Sequence, residues 1–535
     1  MKPTSYRTGY TTGKPLGVIA VALVSILLLL NDIHAQTVCN RYGGHGVDFG
    51  VQLIEDPDGN FVMSGRSYSF STSTMPVWAD LYTIKLSPSF DIIWTSVFHT
   101  QTQDEGYSIA NAHVEGYVAA GASLRQGNGY DITVVKLDLG GQLLWSRILS
   151  TPLDERAQVI IPVSGNEYVI GGYGDSAFSA FSHGFVPFLV RLDGNGSVIW
   201  ARRFGFSSGV FSGSVYDILE ASDGSLLVTG DIIRMDSGPG DSDIFLARFS
   251  ASGSLLWFQW MGTKCPGCQD QGAKLIQDHP NRYTLVASSS PSGSIYIRSF
   301  DLNGNLLLQS GIQTGTFAFT NLDAVKTGPN STVIACPAYN SILVVSIDTL
   351  HQVQWSNTYG EGLGEFPASI LKRGNGLVVG GTSGNAGPFM NDYFIIEIDS
   401  TGHSCCLLNT IPLTSTPMQL PDSAGGTAHP FTLTEHTGGE ISQGGEQWLV
   451  CEDPNAVIEL VPTLISVYPN PFTDRFTLEF ANQEMHTVQV ISMTGQLVYK
   501  AKANEELHIS TDTWPAGGYS LLINGVYAKS MVKVR

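Results

Sequence analysis

Charge is scarce in this sequence: 14% of its 535 residues are Asp, Glu, Lys or Arg, against roughly 25% in ordinary globular domains. Positive charge is scarcer still. There are 28 Lys and Arg against 47 Asp and Glu, for a net charge of −19. That balance argues against a nucleic acid or an anionic membrane surface as partner. Long apolar runs are also lacking; the longest, Leu16–Leu30, would span only ~22 Å as a helix, short of a ~30 Å bilayer core. No H-E-x-x-H occurs, and the histidines are scattered without metal-ligand spacing. Neither a catalytic residue nor a metal site is expected from these motifs. What is present is 43% hydrophobic residues and 59 glycines, which suits a large core joined by many turns.

The apolar run follows Lys2, Arg7 and Lys14 and precedes Asn31-Asp-Ile-His-Ala35. This is the layout of a signal peptide, residues 1–35, cleaved after Ala35. Its removal leaves 28 − 3 = 25 positive and 47 − 1 = 46 negative residues. The mature chain is then at −21, with no transmembrane span.

Self-similarity organises the middle. Leu137-Asp-Leu-Gly-Gly-Gln-Leu-Leu-Trp145 has counterparts at Leu86–Trp94, Leu192–Trp200, Phe249–Trp257, Phe300–Leu308, Ile347–Trp355 and Ile398–Cys406. An apolar run precedes each copy, for instance Asp131–Lys136. Before that comes a run ending in small residues, such as Tyr168–Gly172, and a further strand opens each unit. Four short strands per unit, repeated seven times, predict a seven-bladed β-propeller over 36–410. The nonapeptide Asp should cap a turn, its Gly should supply a positive φ, and the Trp should fill the gap between blades. Val38–Gly43 reads as an extra outer strand, which we expect to complete the last blade and displace Cys405–Leu407; the reverse arrangement is the alternative. The Asp131–Trp145 core resembles the tandem propeller-type repeats of secreted proteins, which implies a fold and no defined activity.

Residues 411–463 are rich in Thr, Ser, Gly and Pro and read as a linker with some strand content, not a packed domain. From Ser466 onwards apolar and polar residues alternate in short runs, which predicts a small immunoglobulin-like β-sandwich over 464–535, so the whole chain is all-β. Here Tyr468-Pro469-Asn470-Pro471, the Met493–Val498 hairpin, Gly517-Gly518-Tyr519 and the closing Lys529–Val534 strand resemble the C-terminal sorting domain of type IX secretion cargo. The resemblance covers about 70 residues of the chain. It implies outer-membrane secretion machinery as partner and an extracellular or outer-membrane-surface destination.

Seven cysteines remain in the mature chain. Cys265-Pro-Gly-Cys268 has no second pair or nearby His, so a local disulfide is expected in preference to zinc. Cys405 or Cys406 with Cys451 would staple the linker to the propeller, with Cys39 a possible member of that group; the pairing is open. Asp56-Pro-Asp-Gly-Asn60 begins like a calcium loop, but Phe61 stands where Gly is required and no closing Glu follows. Asp236, Asp241 and Asp243 are read as turn formers, so no cofactor is expected and calcium is the one candidate left. The positive lead is aromatic: Tyr68, Trp78, Phe178 and Phe181 lie on long loops between second and third strands, where they would stack on a glycan or grip a surface protein. The expected function is a non-enzymatic surface or released binding protein. A polymer-degrading enzyme or a structural surface-layer component is the alternative.

Overall fold

Each repeat folds as four antiparallel strands in chain order. In this computed structural model the first is Asp48–Glu55, Phe61–Ser67, Asp80–Leu86 and Ile92–His99. The structure describes residues 38–534 except 71–77, 101, 114, 126–128, 176–183, 206–209, 235–240, 263–268, 290–292, 315–321, 339, 361–363, 385–390, 400–401, 419, 421, 453–464, 481–484, 493–496 and 524–525. Two compact units result, one spanning Thr37–Glu452 and the other containing Asp453–Arg535.

Seven sheets make up the larger unit, their first strands starting at Asp48, Asp104, Glu155, Val210, Asp270, Asp323 and Phe366. The seventh takes its fourth strand from the start of the chain, Val38–Gly43 pairing with Asp392–Ile398. Neighbouring sheets touch in sequence order, and the seventh touches the first. The contacts therefore close on themselves.

Three devices hold sheet to sheet. The first strand of each sheet is an edge, with N–H groups the ladder does not pair. At five of the seven joints, among the described residues, a side chain of the preceding sheet meets one of them. Ser369 Oγ accepts from Leu53 N (3.0 Å), Gln52 Oε1 from Ile109 N (2.9 Å), Ser108 Oγ from Ile160 N (3.0 Å), Asp217 Oδ2 from Leu275 N (2.7 Å) and Asp323 Oδ2 from Ile370 N (2.9 Å). Lys274, on the first strand of the fifth sheet, lies 3.6 Å from Asp217 of the fourth and 3.4 Å from Asp323 of the sixth, and so bridges the joint between the fifth and sixth sheets.

The second device is the repeated nonapeptide. Asp138 Oδ1 accepts from Gly140 N and Gln142 N, both at 2.8 Å, and Gly141 takes a φ of 80°. The Trp of the preceding sheet lies beneath this turn. Trp94 Nε1 donates to Leu139 O (3.0 Å), Trp200 Nε1 to Ala251 O (3.1 Å) and Trp257 Nε1 to Leu302 O (3.1 Å). A Cβ on Gly141 would sit 2.7 Å from the Trp94 ring, so the glycine answers both to φ and to close approach. Phe90 and His351 replace it in two sheets, at φ of 67° and 60°.

The third device corrects the sequence reading. Within the stretch 411–463, residues 411–452 are not a simple linker, and 453–463 lie outside the described residues. From Leu407 to Glu452 the chain lays a fifth strand on the outer edge of every sheet, in the order sixth, fifth, fourth, third, second, first, seventh. The pieces are Leu407–Thr410, Ser415–Thr416, Asp422–Ala424, Thr427–Pro430, Thr434–His436, Glu440–Ser442 and Glu446–Glu452. Between them Leu413, Leu420 and Leu433 pack against the core clusters. Seven exposed sheet edges would otherwise invite pairing with other chains. The repeat unit thus extends past residue 410 to Glu452.

The smaller unit has a three-stranded sheet (Ile465–Tyr468, Arg475–Phe480, Glu506–Ser510) and a four-stranded one (His486–Ser492, Leu497–Ala503, Gly517–Ile523, Val526–Lys533). They share a core of Phe472, Phe476, Leu478, Val488, Tyr519, Leu521 and Met531.

Candidate functional site

In the first three sheets one position changes in character while its neighbours keep theirs. It follows the acid that opens the first strand and precedes a small residue: Phe49, Glu105 and Arg156 in the first three sheets. Opposite them on the second strands stand Arg66, Ala122 and Tyr173. These side chains gather. Buried Glu105 accepts from Gln103 Nε2 and Tyr107 Oη, with Arg66 NH1 3.5 Å and Arg156 NH1 3.8 Å from its two oxygens. Arg66 lies over the Phe49 ring at 4.7 Å, and Arg156 over Tyr130 at 3.6 Å. Tyr173 packs edge-on against Phe185, centroids 4.9 Å apart. Burial and the Glu105 charge push the Tyr107 phenol above its usual range, and Tyr130 moves the same way. Aromatic faces beside partly exposed guanidinium groups are the surface chemistry of recognition.

Tyr68 belongs to this neighbourhood. It follows Ser67 at the end of the second strand, is half-buried, and adds to the rise of Tyr130. Trp78 is half-buried beside Ala79, whose carbonyl accepts from Asp104 N (2.7 Å). Phe178 and Phe181 lie outside the described residues, as do Cys265 and Cys268. Phe70, on the same loop as Tyr68, is a packing residue, its ring 5.0 Å from that of Tyr82. Sequence reasoning passed over Arg66, Glu105, Tyr107, Tyr130 and Arg156. Variation at one repeat position, in a chain otherwise poor in charge, is the signal that would have found them.

The remaining candidates resolve differently. Asp56 does not face an open loop: Lys85 Nζ is 2.9 Å away, and Tyr117 Oη donates to it at 2.8 Å. Although burial opposes it, these partners and Asn60 lower the Asp56 carboxyl to about 2. Gly205-Phe-Ser-Ser-Gly209 spells a G-x-S-x-G that the sequence reading did not single out; residues 206–209 lie outside the described residues. Cys405 is disulfide-bonded, and Cys451 stands in register opposite Cys39.

In the smaller unit the Tyr468–Pro471 turn is tied to the chain's last strand. Asn470 Oδ1 accepts from Val532 N (3.0 Å), and Phe472 exchanges backbone hydrogen bonds with Val532 and Val534. Tyr468 is 46% exposed and buried Tyr519 donates to Pro515 O (2.6 Å), while Gly518 pairs with Val532. The motif residues distant in sequence thus meet at one edge.

Residues 466–534 match the family model described as a secretion system C-terminal sorting domain. Over 74 residues, 13% of this chain, the sequence is 35% identical to "Ulvan lyase NLR42" of Nonlabens ulvanivorans, covering 14% of that protein. Among solved structures the chain is similar to an unknown-function protein of Dyadobacter fermentans DSM 18053. The TM-score is 0.39 at 12% identity, over 68% of this chain and 98% of the other. Residues 466–534 are a type IX secretion C-terminal sorting domain, which directs this protein to the cell surface or the extracellular space.

Proposed function

We propose that this is an exported, non-enzymatic binding protein: a seven-bladed β-propeller that recognises carbohydrate or protein, carried outside the cell by an immunoglobulin-like sorting sandwich. A signal peptide over residues 1–35 takes it first to the periplasm. The seven sheets whose contacts close in a cycle support the propeller. The observation that carries the binding function is the gathering of Arg66, Tyr107, Tyr130 and Arg156 around Glu105, beside Tyr68. Tyr and Arg supply contact area and directed hydrogen bonds at binding surfaces.

The test is a glycan array probed with the mature chain, in calcium and then in chelator. Saturable binding to a defined glycan is expected. No bound glycan, together with self-association of the pure protein, would replace this reading with a structural surface-layer role. The similarity to an ulvan lyase favours a second reading, a polymer-degrading enzyme; release of reducing ends from a bound polysaccharide would establish it.

A further inference from the structure

Most arginines of the larger unit are committed to hydrogen bonds. Arg125 donates to Leu153 O, Arg147 to Asn195 O, Arg202 to Gly253 O, Arg248 to Ser225 Oγ and Arg373 to Pro88 O. Arg66 and Arg156 differ. Within the described residues neither donates a hydrogen bond; the Nε of each is buried without an acceptor, as in Arg125 and Arg203, but those two donate through NH2 and these do not. Glu105 does not meet this need. Its oxygens are taken by Gln103 and Tyr107, and its contacts with the arginines, 3.5 and 3.8 Å, are longer than good hydrogen bonds.

Each guanidinium presents five donors in a planar fork. Both are reachable, with side chains 28% and 24% exposed. Each is also held over a ring, Phe49 or Tyr130, which fixes the plane of the fork before a ligand arrives. Two oriented forks, one on each oxygen of a buried carboxylate, fit a carboxylate or sulfate oxygen set.

We propose that this site takes an acidic sugar, its carboxylate or sulfate held by Arg66 and Arg156. The inference rests on the binding reading and narrows it to a ligand class. A mature chain of net charge 25 − 46 = −21 repels polyanions at long range, so retention of one reports a local site. That retention weakens as salt screens the pair.

The mature full chain is titrated with polygalacturonate, dextran sulfate and uncharged dextran. Binding to at least one acidic polymer and none to dextran is expected; the two acidic arms distinguish carboxylate from sulfate. Arg66→Gln with Arg156→Gln should weaken that binding by about tenfold or more. Glu105→Gln should tighten it, because the competing charge is gone, and a misfolded variant would not do that. Binding to neutral glycans alone would overturn the acidic-sugar inference while the binding function stands. Undiminished binding by the double Arg variant, or equal loss in Glu105→Gln, would overturn it too. Absence of any glycan binding would remove the reading beneath it.

Discussion

Trp200 joins two sheets through a single side chain. Its ring lies under the turn of the next repeat and its Nε1 reaches Ala251 O, leaving it 9% exposed. Trp200→Ala should cost about 3–5 kcal/mol, read as a lower urea midpoint. Its neighbour Ile199 is 48% exposed, and Ile199→Ala should leave the midpoint nearly unchanged. Acid–base behaviour also turns on single residues. Burial raises the Asp392 carboxyl from 3.8 to about 7, with Asp48 adding to the rise and Arg41 opposing it. The folded state therefore keeps a proton that the unfolded chain releases. This contribution to stability is fully present below the unfolded value and is lost as pH rises through about 7. Asp104 and Glu155, also raised to about 7 chiefly by burial, act in the same direction. Thermal midpoints measured between pH 4 and pH 7 should fall less steeply in Asp392→Asn than in the unaltered chain. Asp138, Gly141 and the tryptophans were legible in the sequence because each type recurs at a fixed place in five of the seven repeats. Arg66 and Glu105 were not, because their signal is a departure from the repeat, which shows only when the units are compared position by position.

Some strand content was expected after residue 410, but not that each of the seven sheets would receive one of those strands as its fifth. Ser415–Thr416 has two residues and Asp422–Ala424 three, too short to show alternation of period two. Their hydrogen-bond partners lie far away in sequence, as in Gln259 opposite Ala424. Composition alone suggested a linker, and tertiary pairing overrode it. The four-stranded units were legible because their strands are longer and return in the same order. This outer strand set also gives the cysteines a setting. Cys405 is disulfide-bonded, and we expect Cys451 as its partner, since Cys451 is opposite Cys39, which packs in the same cluster as Cys405. The bond would join the beginning of the outer strands to their end. Closing the 405–451 loop should stabilise the fold by about 4 kcal/mol. Cys451→Ser should lower the unfolding midpoint without reductant and match the unaltered chain once both are reduced. Non-reducing peptide mapping that links Cys405 to Cys265 or Cys268 would refute the pairing.

At the scale of the whole molecule, the two units differ in charge as well as in fold. Ser466–Arg535 holds six Lys and Arg and six Asp and Glu, so the acidic excess lies in the larger unit. The sorting domain was legible nearly residue by residue, since Tyr468–Pro471 and the last strand form one hydrogen-bonded edge that constrains both. The proposed binding surface was legible only as a region, through Tyr68 on its loop, while the charged cluster of Arg66, Glu105 and Arg156 went unread. Delivery and recognition can be separated by truncation: a chain ending before residue 464 should stay in the periplasm and still bind its glycan in lysates. The most direct test measures labelled-glycan binding to intact cells that make either the full chain or this truncation. Surface binding by full-chain cells alone is the predicted result. Equal surface binding by both, or none by full-chain cells whose protein is accessible to antibody, would contradict an exported binding protein.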